Sequence, residues 1–259
     1  MGFFDLLSPV FSGFDSLISS FTNDFIRITF WALVSALITS LVFKKLSNPD
    51  KISSLKTDLK AKQKELNNHD GEFSEIKDLA IDTMKLSIKR MGLTFMPAML
   101  ASIPIIFVLT YLSNNYGLMQ PNTGDLIPIQ VTWEQSSKES QISIVQDGNT
   151  LESREINSIK WPSDSKTIEL VEKQNSSKLI QFPSQLSSII HKKQWWNSLI
   201  GNPIGYLNDE SNVSHIKFAF KDKKIIEIGP EWMHGWLFVF FLMTILFSIV
   251  FLFVFKIKF

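Results

Sequence analysis

The sequence predicts a membrane α-helical protein with three transmembrane helices, a cytoplasmic antiparallel coiled-coil hairpin, and a mainly-β extracytoplasmic domain inserted between spans two and three. Three observations carry that expectation. Although 45% of the 259 residues are hydrophobic, they are gathered into three long runs. A lysine-rich stretch with heptad spacing separates the first two runs, and short alternating stretches fill the interval before the third.

The first run, residues 25–43, reads FIRITFWALVSALITSLVF with one charge. A helix of that length rises roughly 28 Å, about the thickness of a bilayer core. The second run, residues 92–112, is uncharged and holds Pro97 and Pro104 seven positions apart, on nearly one helix face. Each proline removes a backbone donor, so a kink is expected, and protein or water must lie against the freed carbonyls. The third span is drawn at residues 232–255, opened by Trp232 and followed by Lys256 and Lys258 in a tail of residues 256–259.

Orientation follows from the flanking bases, since short loops rich in Lys and Arg stay in the cytoplasm. Lys44 and Lys45 follow span one, Lys85, Lys89 and Arg90 precede span two, and Lys256 and Lys258 follow span three. An outside N-terminus and a cytoplasmic C-terminus satisfy all three clusters, in a multi-pass protein of the cell membrane. Residues 1–24 carry Asp5, Asp15 and Asp24 without a base. They lack the basic start of a signal peptide and suit an amphipathic segment in the outer interface, with Phe3, Phe4, Leu6, Leu7, Phe11 and Phe14 dipping inward.

Within residues 44–91, Asn48, Pro49 and Asp50 form a helix start: a capping side chain, a proline in the first turn and an acid at the positive helix end. Ile52, Leu55, Leu59 and Leu66 follow in a narrow heptad stripe. His69, Asp70 and Gly71 break it, and a second stripe through Phe73, Ile76, Leu79 or Ala80, and Leu86 leads into span two. Lys44 to Arg90 holds 11 basic and 8 acidic residues, an excess that suits lipid heads or ribosomal RNA as well as plain solvation.

The outer domain, residues 113–231, is nearly neutral, with 12 basic and 14 acidic residues. Alternation predicts strands at residues 127–134, 141–145, 167–171, 178–182, 215–220 and 224–228, and a helix at residues 184–199 carrying Ile189, Ile190, Trp195 and Trp196. That helix fits either over the sheet or at the membrane surface. Asn175 with Ser177, and Asn212 with Ser214, form glycosylation acceptor patterns.

Composition excludes several functions. Without cysteine there are no disulfides, thiolate metal sites or cysteine nucleophiles. With 26 basic against 25 acidic residues there is no net basic surface for DNA. The four histidines fall in separate regions, no phosphate loop or nucleophile elbow is present, and no carboxylate lies within a span. Neither an enzyme, a metal nor a cofactor is expected. What remains is the spans themselves. Arg27 is their one ionisable residue, either snorkelling to the outer headgroups or standing as a groove cation. Met84, Met91, Met96, Met99 and Met243 offer an adaptable apolar surface, or ordinary packing. Thr94 and Thr244 belong to a set of hydroxyls that either bond between helices or line a hydrated groove.

An outside N-terminus, span, cytoplasmic hairpin, span, outer segment and final span resembles the YidC/Oxa/Alb superfamily of membrane insertases, its archaeal branch above all. The segments that carry the resemblance are MGFFDLLSPVF, LITSLVFKKLSNPD, KRMGLTFMPAMLASIPIIFVLTYL and GPEWMHGWLFVFFLMTILFSIVF. Similar eukaryotic proteins include the insertase subunit of the endoplasmic-reticulum membrane complex. The resemblance implies a chaperone-like role in membrane protein insertion. Nascent transmembrane segments would enter the bilayer through a partly hydrated groove lined by Arg27, Met84, Met91, Thr94, Met96, Met99, Met243 and Thr244. It also implies that Lys56, Lys60, Lys62 and Lys64 of the coiled coil meet the ribosome or a targeting factor, and that other membrane subunits are possible partners. The large outer domain keeps a second reading open, a membrane-anchored binding or sensing protein.

Overall fold

The computed structural model describes every residue except 70, 135–141, 147–148, 153–156, 162–167, 173–176, 183–185 and 257–259. The chain is mostly helical, and by compactness it divides into two units. One comprises Met1–Ile28 and Phe107–Val239, the other Thr29–Ile106 and Phe240–Phe259.

Among the described residues three helices are long and apolar enough to cross a membrane, as a multi-pass membrane protein requires: α2 (Asp24–Leu46), α4 (Phe73–Tyr116) and α5 (Trp236–Val254). In the second unit, α2 buries Trp31 together with the small residues Ala32, Ser35, Ala36 and Ser40, of the kind that let helices approach closely. Leu33, Leu37, Ile38 and Leu41 stay exposed on its other faces. On α5, Phe240 and Thr244 are buried while Leu237, Phe241, Ile245 and Ile249 are exposed. Exposed apolar surface of this extent is compatible with a membrane-spanning helix.

The same unit holds α3 (Pro49–Asn67), whose N-cap Asn48 accepts from Lys51 N at 3.1 Å. Ile52, Leu55 and Leu59 are its buried positions. On the α4 arm Ile76, Leu79 and Leu86 are half-buried and Thr83 is buried, again at spacings of three and four, with Ile81 half-buried beside them. Leu79 rather than Ala80 therefore carries the stripe. Thr83 joins it because its hydroxyl is satisfied internally, donating to Leu79 O at 2.8 Å. Phe73, the first residue of α4, is exposed and stands outside the stripe. His69 Nε2 and Glu75 Oε2, 2.9 Å apart, span the turn between the arms. The second arm and the second apolar run are one 44-residue helix, about 66 Å long, unbroken at Pro97 and Pro104.

The first unit contains α1 (Ser8–Ser19), the start of α2, the end of α4, the start of α5 and, among the described residues, eight strands. The strands are β1 (Leu126–Trp133), β2 (Ile142–Gln146), β3 (Asn149–Glu152), β4 (Ser158–Lys160), β5 (Ile168–Glu172), β6 (Ser177–Phe182), β7 (Ile189–His191) and β8 (Val213–Phe218). They form two four-stranded sheets of order β4-β1-β8-β7 and β3-β2-β5-β6, with antiparallel pairing throughout. Ile127 and Ile129 of β1, Ile159, Trp161, Ile190, Ile216 and Phe218 build the core, which Leu170 of β5 joins.

Two sequence expectations fail here. Residues 224–228 form no strand, because the stretch is spent on a turn in which Ile225 N donates to His234 O at 2.7 Å. No helix occupies residues 186–199: Ile189–His191 pairs with β8, and Trp195–Ser198 is a single 3-10 turn. The β-branched pair Ile189 and Ile190 gains more from a sheet edge than from a helix. Three short strands, β3, β4 and β7, were not anticipated. Gln141, Thr167, Asn175, Ser184 and Lys258 lie outside the described residues.

Ile216 is fully buried at the centre of the first sheet. Ile216→Ala is expected to lower stability by about 2–5 kcal/mol, and replacement of its exposed neighbour Lys217 by no more than about 0.5 kcal/mol, in denaturant titrations of the detergent-solubilised chain.

Candidate functional site

In the second unit an apolar cavity of about 450 Å³ is lined by Leu46, Asn48, Lys89, Gly92, Leu93, Met96, Pro97 and Leu100. It lies where the end of α2 and the start of the hairpin meet the mid-portion of α4. The sequence explains its chemistry. Proline at 97 and at 104 cannot donate to the carbonyls four residues earlier, which belong to Leu93 and Leu100. Both of those residues line the cavity. The site thus combines apolar side chains with backbone acceptors that the helix leaves without their usual donors.

Next to the cavity, α4 exposes Met84, Ile88, Met91, Phe95 and Met99 at spacings of four, three, four and four. These positions share one helix face that runs without interruption from the hairpin arm into the apolar run. Met96, also exposed, belongs to the cavity. Thr94 is satisfied within its helix, its hydroxyl donating to Arg90 O at 3.2 Å, and so is tied to the backbone. Met243 of α5 is half-buried beside Thr244, whose buried hydroxyl has no hydrogen-bond partner among the described residues; the same holds for Ser35 and Thr39 of α2. Met233 precedes α5 in a 3-10 turn, not inside the span. On α3, Lys56, Lys60 and Lys64 are exposed, and Lys62 pairs with Glu65 at 3.0 Å.

Arg27 belongs to the first unit and is not a lone cation. Its guanidinium is paired with Asp15 Oδ2, reaches Asp24 Oδ1 at 3.3 Å, and lies 5.2 Å from the centre of the Tyr116 ring. Asp15 is almost wholly buried and also accepts from Tyr116 Oη at 2.7 Å. Lys223 Nζ completes the set, 2.6 Å from Asp24 Oδ2 and 5.3 Å from the same ring. Two acids and two bases thus neutralise one another around one tyrosine. Sequence reading missed Asp15, Tyr116 and Lys223. The one available signal was Asp15 itself, the single charge in the helix SPVFSGFDSLIS.

Also in the first unit, a cavity of about 870 Å³ at the start of α5 is lined by Lys221, Lys224, Glu227, Trp232, His234 and Trp236 among others. No three His, Asp or Glu residues among those described are grouped to hold a metal ion. No family model, curated protein or solved structure matches the chain.

Removing Asp15 leaves a mostly buried guanidinium with fewer partners. Asp15→Ala is expected to cost about 1.5–3 kcal/mol, the scale of hydrogen bonds to charged groups, and Asp15→Ala with Arg27→Ala is expected to cost less than the sum of the two single changes. Thermal unfolding of the four proteins in one detergent checks the cycle.

Proposed function

We propose that the protein is a membrane insertase that helps nascent transmembrane segments enter the bilayer along α4, in line with its resemblance to the YidC/Oxa/Alb superfamily. One observation carries the reading: the apolar cavity bounded by Leu93, Pro97 and Leu100, continuous along the helix with the exposed face of Met84, Met91 and Met99. An entering segment has an apolar core and short polar flanks. Methionine side chains adapt to apolar cores of many shapes. Freed carbonyls at Leu93 and Leu100 supply acceptors for the polar flank. The unpartnered hydroxyls of Ser35, Thr39 and Thr244 would extend that polar track. On insertion scales a charge at the bilayer centre costs about 2.5–3.5 kcal/mol, so even a few such acceptors change insertion rates substantially.

In this reading Met1 and the sheets face outward, and the hairpin of α3 and α4 is a cytoplasmic coiled coil whose Lys56, Lys60 and Lys64 meet the ribosome or a targeting factor. Arg27, committed to Asp15 and Asp24, serves as a structural tie at the outer end instead of a groove cation. The protein needs no cofactor or energy source for this task.

Photocrosslinkers placed at Met91 and Met96 are expected to capture a ribosome-bound nascent chain, and one at Leu237 on α5 is not. Pro97→Ala restores a helical donor, so it should stabilise α4 by up to about 3 kcal/mol while slowing insertion of short-tailed substrates. Equal insertion by the variant, or unchanged insertion after depletion of the protein, counts against the proposal. Because the chain has no cysteine, single cysteines at Lys60 and Lys217 report orientation. An impermeant maleimide added to intact cells is expected to modify the second and spare the first.

A further inference from the structure

We infer that the sheet-bearing unit inserts the turn Trp195–Ile200 into the same bilayer that the spans occupy, as a second membrane anchor independent of the insertase reading. The turn presents apolar groups outward: Trp195 is 81% exposed, Leu199 45% and Ile200 43%. It is not a loose loop. Asn197, almost wholly buried, accepts from Gln194 N at 2.7 Å and donates to Ile200 O at 3.3 Å, which holds the turn closed around its polar centre. The side chains it displays are therefore held in contact with the surroundings by construction.

The depth of the turn follows from what it is bonded to. Phe4 N donates to Leu199 O at 2.9 Å, and Gly201 N donates to Asp5 Oδ2 at 2.8 Å. Asp5 Oδ2 also accepts from Gly2 N at 2.7 Å. A side chain at Gly201 would place its Cβ 2.6 Å from Asp5 Oδ2, so glycine is what permits this close docking. The rings of Phe3 and Phe4 in turn lie 5.5 and 5.1 Å from the ring of Phe107. Phe107 stands five positions inside the end of the apolar run of α4, about 7.5 Å along the helix. A turn fastened to residues packed on Phe107 sits at the level of the hydrocarbon boundary.

Its composition suits that level: an exposed tryptophan at the turn and exposed Lys193 two residues before it, the pairing that anchors interfacial segments. Leu7 and, on helix α1 after it, Val10, Phe14 and Leu17 are exposed as well. The occupant of this surface is accordingly lipid and not a second protein.

The absence of cysteine makes the test direct. Spin labels are attached at Trp195→Cys and, separately, Ile200→Cys in the full chain reconstituted in phospholipid vesicles, with Lys217→Cys as the control on the exposed face of the sheet. Both turn labels are expected to collide with dissolved oxygen several-fold more, relative to a water-soluble nickel chelate, than the control label does. Nickel accessibility equal to the control at both turn positions would overturn the inference. So would protection from both collision agents, which signals a protein partner over the turn. As a check free of the cysteine changes, the unmodified chain in vesicles of brominated lipid should lose more tryptophan fluorescence than Trp195→Phe does.

Discussion

The ion pair between Asp15 and Arg27 is the constraint on which the sheet-bearing unit of the molecule rests. A guanidinium at the first turn of an apolar helix is costly unless it is paired, and so is a carboxylate buried as Asp15 is. Each group makes the other's placement tenable. The pair brings α1 against the start of α2, and Tyr116 fastens the end of α4 to the same carboxylate. Asp24 and Lys223 then attach the segment that leads into α5. Four separated parts of the sequence meet there with no net charge, which is the condition for placing such a cluster beside lipid.

A different constraint governs α4. Forty-four helical residues join a soluble arm to an apolar run, and the join is made without a break that would leave backbone groups bare. The prolines take the helical donors from the carbonyls of Leu93 and Leu100 without interrupting the helix, and both residues line a cavity. In water such acceptors would be unremarkable. Within a membrane they are among the few polar groups available, and a chain crossing the bilayer beside them would find partners for its own amides. The physical content of the proposed activity is this local change of solvent, and it calls for no catalytic side chain.

The two sheets are tied to the N-terminal segment of their own unit at one edge. Their core, centred on Ile190, Ile216 and Trp161, is an ordinary antiparallel packing of alternating residues. Yet the strand β7 that closes one sheet leads directly into the Trp195 turn, and that turn is bonded to the N-terminal segment. The bonds of that turn to Phe4 and Asp5 hold the sheet edge and the N-terminal segment together within one unit.

Hydropathy is a sum over neighbouring residues, and for that reason the three apolar helices were legible in the sequence, to within a few positions at most ends. The heptad spacing of Ile52, Leu55 and Leu59 announced the first hairpin arm in the same local way, and alternation marked β1, β5 and β8. What only the tertiary structure decided are the pairings between distant residues. Asp15 and Tyr116 stand 101 positions apart, and no local pattern says that they share a hydrogen bond. The segment 186–199 likewise has the apolar content of a helix; it became an edge strand and a turn because β8 offered an unpaired edge and Phe4 and Asp5 offered partners for Leu199 and Gly201. Local sums determine which segments leave water, whereas the partners of isolated polar groups depend on the distances that folding creates.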